Sequence, residues 1–122
     1  MFIKVARVFS KTPGGRYAKD GKDSAEKFLK DVLEPAYCFS IEDEEYLVVD
    51  LDGGYGYSDG FLEESFGGLV RKGHNYKRVL DNLVLISTEE PLLVDKIKGY
   101  IIDEGLHQQM EKNIGGKKYG KY

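Results

Sequence analysis

The sequence predicts a single α/β domain, a mixed central sheet of about four strands covered by three or four helices. Three observations carry this. Two short, near-continuous apolar runs, Tyr46 to Leu51 and Leu83 to Ile86, have the pattern of strands buried on both faces. Around them, apolar residues recur at the spacing of a helix face. With 122 residues, 41% hydrophobic and 32% charged, the chain can bury one core and is too short for a multidomain enzyme.

Phe2 to Phe9 reads as a strand near an edge, since Lys4 and Arg7 interrupt its apolar residues. Ala25, Phe28, Leu29, Val32 and Leu33 form one helical stripe that starts at Asp23 or Ser24 and stops at Pro35. A short strand follows over Tyr37 to Ile41, then the central strand Tyr46 to Leu51. Leu62, Phe66, Leu69 and Val70 make the second stripe, capped at Ser58 or Asp59 and ended by Gly73. Gly67 and Gly68 lie inside it, where each costs about 1 kcal/mol of helix propensity. Close packing of that helix on the sheet or on a partner is the expected compensation. After Leu83 to Ile86, the third stripe is Leu93, Ile97, Tyr100 and Ile101, starting at Ser87 or Thr88 with Pro91 in its first turn. Gly105 and a change of stripe suggest a break before Leu106, Met110 and Ile114. The domain is expected over residues 1–113, with a flexible Gly, Lys and Tyr tail over 114–122.

The single cysteine, Cys38, cannot form an internal disulfide, and the start of the chain has no secretory hydrophobic stretch, so a reducing, cytoplasmic setting is expected. No apolar run approaches the roughly 18 residues that cross a bilayer, which argues against membrane insertion. The net charge of −3 hides a segregation. Residues 1–35 hold eight basic and five acidic side chains, whereas residues 42–64 hold nine acids and no base. An acidic face repels phosphate backbones and attracts basic protein surfaces, so duplex nucleic acid is not the expected partner.

The acidic segment contains the loop Asp52 to Gly60, four of whose nine residues are glycine. It joins the carboxyl end of a central strand to a helix, the place where open α/β sheets usually build sites. Asp52 and Asp59 argue against a bound phosphate and for a basic protein surface. The expected contact residues are Asp52, Tyr55, Tyr57, Ser58, Asp59, Phe61 and Glu64. A plain glycine turn with Ser58 or Asp59 as helix cap is the alternative for the same residues.

The run Tyr57-Ser58-Asp59-Gly60-Phe61-Leu62-Glu63-Glu64-Ser65-Phe66-Gly67-Gly68-Leu69-Val70-Arg71, following Tyr46 to Leu51, resembles the STAS-like domain family of bacterial and phage proteins. Phe9-Ser10 with Pro13-Gly14-Gly15-Arg16-Tyr17 is similar to that family's N-terminal motif, and the resemblance spans roughly residues 8–101. It implies a STAS-type fold, related in shape to anti-sigma-factor antagonists that dock on a kinase of the histidine-kinase-like ATPase fold. In those antagonists a serine between an aspartate and a glycine, at the start of the corresponding helix, is phosphorylated to break the complex. If Gly60 matches their glycine, Asp59 occupies the phosphoacceptor position and Ser58 stands one residue early. Ser58 is the phosphoacceptor this resemblance offers.

A second reading, from a different class, is a sensor of a small anion or nucleotide. The basic, glycine-rich loop 11–22 would use Thr12, Gly14, Gly15 and Arg16, Arg16 gripping a carboxylate or phosphate at two points, or else neutralising Asp52 or Asp59. It is not a P-loop. No catalytic residue, metal site or cofactor is predicted, because His74, His107 and Cys38 show no ligand or triad spacing. Glu63 and Glu64 adjoin on a helix and are expected to point apart. Oligomeric state has no sequence signal.

Overall fold

A computed structural model describes the backbone of residues 1–120 and the side chains of residues 1–112. The strands are β1 (Phe2–Lys4), β2 (Leu47–Asp50) and β3 (Leu83–Ile86). They form one sheet in the order β1-β2-β3, with both pairs parallel: Phe2 lies beside Val48, and Val48 beside Val84. The expected mixed sheet of about four strands is thus a parallel sheet of three among the described residues. Helix α1 is a single turn (Val5–Val8), and α2 spans residues 25–42. Helix α3 spans 59–71, α4 is Tyr76–Asn82 and α5 is Leu92–Gly120.

The N-terminal strand is shorter than its composition suggested. Val5 is fully buried and Phe9 packs on the core, with the chain turning helical after Lys4, so that both residues reach the core across a single helical turn. The expected strand over Tyr37 to Ile41 is also helix. Leu33, Ala36, Tyr37 and Ser40 are buried at spacings of three, one and three, and Ser40 hides that period because it is polar. Its hydroxyl donates to the Ala36 carbonyl at 2.9 Å. Pro35 does not stop the helix, since the wider π-helical turn Leu29–Leu33 precedes it and leaves room for a ring that an α-turn would press against the carbonyl four residues back.

Ser24 and Ser58 cap α2 and α3, accepting from Lys27 N–H (3.3 Å) and Phe61 N–H (3.1 Å). A second π-helical turn, Glu63–Gly67, lies within α3. The helix runs through both glycines, and the compensation is close packing against α2, not against the sheet or a partner: a Cβ on Gly68 would stand 2.8 Å from Leu29 Cδ2. Gly73, at φ +108°, ends the segment as expected. Helix α4 was not anticipated, although Asn75 caps it by accepting from Arg78 N–H at 3.1 Å. Gly105 causes no break, because its missing side chain admits the ring of Tyr76, with which a Cβ would collide. The expected tail over 114–122 lies outside the described side chains.

Burial alternates along the strands. Ile3, Leu47, Val49 and Leu83 face the helices and are at most 8% exposed, and Phe28, Phe61 and Phe66 are sealed beneath them with Phe9 alongside. Phe2 and Val84, side by side with Val48 on the opposite face, are 58% and 41% exposed. The strands are therefore covered on one face, not on both.

Candidate functional site

The loop 52–60 leaves the carboxyl end of β2, beside the end of β3, and its conformation is set by a few bonds. Asp52 does not face solvent as a free charge. Its carboxylate accepts from Thr88 Oγ1 and from the backbone N–H groups of Thr88 and Glu89, both at 3.0 Å. These three bonds, the Thr88 hydroxyl first, hold the Asp52 carboxyl below the ordinary carboxylate range. They also occupy the hydroxyl and amide of the expected α5 start, and the helix begins only at Leu92. Gly53, at φ +94°, donates its N–H to Glu89 Oε1 at 2.7 Å. Tyr55 N–H donates to the Lys11 carbonyl at 2.8 Å, so the loop leans on the segment after α1.

Tyr57 turns inward. Its hydroxyl donates to the Leu51 carbonyl at 3.0 Å and its ring packs on Phe61, and burial, joined by Asp50, Asp52 and Glu89, pushes the phenol pKa up. Phe61 is 1% exposed, a core residue that no partner can touch. The helical turn that lets Ser58 cap Phe61 aims that ring at Phe28 instead of outward. Tyr55 is the outward group, 85% exposed. Ser58 and Asp59 are also at the surface. Asp59 pairs with Lys96 of α5 at 2.9 Å, which lowers its pKa. A depression of about 210 Å³ between this loop and the start of α5 is lined by Tyr55, Tyr57, Glu89, Glu90 and Leu93 among others. Glu89, Glu90 and Lys96 were missed in the sequence because they reach the loop from beyond β3.

Glu64 is not a free contact residue either. Glu63 and Glu64, expected to point apart, meet the same two arginines: Arg16 lies 2.5 Å from Glu63 and 3.6 Å from Glu64, and Arg71 lies 2.7 Å and 3.6 Å from them. Arg71 also reaches Glu104 of α5 at 2.5 Å. Burial works to raise the Glu63 carboxyl, but hydrogen bonds from Arg71 and Arg16 outweigh it and hold the pKa down. The network joins the loop before α2, helix α3 and helix α5.

The alternative anion-binding residues are placed as well. Arg16 is engaged with Glu63, and not with Asp52 or Asp59. Thr12 N–H is taken by Ser10 Oγ, and Gly14 N–H by the Asp23 carbonyl. Gly15 has φ +81° and accepts through its carbonyl from Ala25 N–H. Internal bonds thus take the Thr12 and Gly14 N–H groups, the Gly15 carbonyl and Nη1 of Arg16. Elsewhere, His74 bonds Glu34 at 2.7 Å, His107 pairs with Glu111, and burial with nearby Glu34 and Glu42 raises the Cys38 thiol, which disfavours the thiolate. Among the described residues no group of three or more His, Cys, Asp or Glu side chains could hold a metal ion, and no helix is long and apolar enough to cross a membrane.

A family model described as a STAS-like domain of unknown function matches residues 24–93. The chain belongs to this family. The matched span runs from the cap of α2 to the first turn of α5, so the STAS-like domain includes the whole strand-end loop, Ser58 and the Glu63, Glu64 and Arg71 part of the carboxylate–arginine network. Phe9 to Tyr17, with Arg16, lies outside it. No curated protein and no solved structure matches the chain.

Proposed function

We propose that this STAS-like domain is a non-enzymatic, regulatory interaction module that docks a basic surface of a partner protein through the rim at the carboxyl end of β2. One observation carries the reading. Tyr55, a large aromatic side chain, is 85% exposed on a loop tied down by backbone bonds to Glu89 and Lys11 and by the Asp52 carboxylate's bonds to Thr88. A tyrosine has only two side-chain torsions to fix on binding and is the kind of residue that anchors interfaces. Glu89 and Glu90 line the same depression as Tyr55 and give it negative charge, which steers basic partners and repels nucleic acid. By family resemblance the partner is a kinase-like ATPase regulator. Ser58, exposed beside Asp59, is the hydroxyl such a partner would modify, and a phosphate there would add about −1.5 to −2 charges to the rim.

The contact set on this reading is Tyr55, Ser58 and Asp59, with Asp52 and Tyr57 as supports. Capture from lysate of the source organism by immobilised wild-type domain, Tyr55→Ser and Asp59→Lys tests it. The expected result is a protein retained by wild type and lost at least about fivefold by both variants, at unchanged unfolding midpoints, the scale of truncating one interface anchor. Equal retention by all three would remove the site assignment.

A further inference from the structure

Between the second half of α2 and the start of α4 lies a cavity of about 390 Å³, within the size range of small-molecule sites. Tyr37 and Ile41, and likewise Cys38 and Glu42, stand four residues apart on α2 and form one wall. His74, in the turn before α4, and Arg78, on α4 itself, line the other side. The aromatic part of the lining is fixed. The Tyr37 and His74 rings meet edge to face with centroids 5.1 Å apart, and Glu34 holds His74 at 2.7 Å.

Two observations point to a ligand. Tyr37 is 2% exposed, and its hydroxyl makes no hydrogen bond among the described residues. It is not sealed either, since the side-chain polar atom that is both sealed and unpartnered among those residues is Asn82 Oδ1. The hydroxyl therefore keeps its access through the cavity that Tyr37 lines. A hydroxyl so buried without a partner is costly, and an acceptor entering the cavity relieves it. Burial pushes the Tyr37 phenol pKa up and Arg78 pulls it down, which sets the guanidinium within electrostatic reach of the same hydroxyl. The second observation is a pair of unmatched charges. Arg78 and Glu42 line the one cavity with opposite signs, yet neither makes an ion pair among the described residues, whereas Glu34 nearby is taken by Lys72 and His74. A plain anion would be repelled by Glu42 and a plain cation by Arg78, but a molecule carrying both charges satisfies each.

We propose that this cavity binds a small zwitterion, a free amino acid with an apolar side chain, its carboxylate on the Arg78 guanidinium and the Tyr37 hydroxyl, its ammonium on Glu42, and its side chain against Ile41 and Cys38. The site is separate from the rim at 52–60 and does not depend on that docking reading.

The test is an NMR titration of the full chain at physiological salt, following the Ile41 methyl and Arg78 Nε–H signals. Leucine is the probe. Glycine lacks the apolar side chain, N-acetylleucine the ammonium and leucinamide the carboxylate. The expected result is a saturable shift of both signals with leucine and binding at least about fivefold weaker for each of the other three, the scale of one lost polar or apolar contact. Tyr37→Phe should weaken leucine binding about fivefold without lowering the unfolding midpoint, since the hydroxyl bonds nothing within the described chain. Arg78→Gln and Glu42→Gln, both at exposed positions, should also weaken leucine binding, the first without weakening leucinamide and the second without weakening N-acetylleucine. Absence of a shift with leucine up to millimolar concentration, equal affinity for N-acetylleucine or leucinamide, or unchanged leucine affinity in Tyr37→Phe would overturn the proposal.

Discussion

Ser58 shows how one side chain can serve the fold and still remain available. Its hydroxyl oxygen accepts from Phe61 N–H, so Ser58→Ala should cost about 1 kcal/mol in urea unfolding, whereas Ser58→Asp, which keeps an acceptor, should cost less than half of that. Asp52 works differently. Its folded pKa lies below the unfolded value, so the stability it contributes is present above the unfolded pKa and is lost as pH falls through the folded one. A carboxyl-carbon titration should show Asp52 protonating below the exposed carboxylates, and in Thr88→Val, which removes the hydroxyl donor, its midpoint should move up toward them. An unchanged midpoint in that variant would contradict the role given to Thr88. At this scale the sequence was partly legible: the caps were visible to within a residue, as Asp23 or Ser24 and Ser58 or Asp59, because capping is local, and the structure selects the two serines. That Asp52 reaches Thr88 was not, since it depends on which strand lies next to β2, nor that Phe61 turns inward, since that depends on where α2 places Phe28.

Among the helices, the glycines separate packing from propensity. Gly105 is pressed against Tyr76, so Gly105→Ala should destabilise by about 1–3 kcal/mol despite its better helix propensity. Gly99, in the same helix, has open space where a Cβ would stand, and Gly99→Ala should stabilise by up to about 1 kcal/mol. Paired urea titrations read both signs, and the same sign for both would contradict the packing of α4 on α5. The strong stripes of α2, α3 and α5 were readable from their spacing. The two π-helical turns were not, because a one-residue widening leaves no compositional mark, and they bear on two expectations that failed: the stop at Pro35 and the divergence of Glu63 and Glu64. Helix α4 has only seven residues and two well-buried ones, too few to show a period.

For the whole molecule, the α/β class followed from two apolar runs, while the number of strands and their order did not: β2 alone is central, with β1 and β3 at the edges. Val5 and Phe9 draw the chain into a helical turn after Lys4, and the helices gather on one side of the sheet, leaving Phe2 and Val84 outward. The charge segregation also changed meaning in three dimensions. Arg16, from the basic N-terminal third, is folded onto Glu63 and Glu64, and Lys96 onto Asp59, so the acidic segment is partly neutralised from within and the rim's character rests on Tyr55 with Glu89 and Glu90. Site-specific photo-crosslinking tests that rim most directly, with a benzophenone side chain placed in turn at position 55 and at the exposed position of Lys98 on α5. A docking rim predicts a discrete adduct with one partner protein from position 55 that is suppressed by Asp59→Lys and absent from position 98. Indistinguishable adducts from the two positions, or none from position 55, would contradict it.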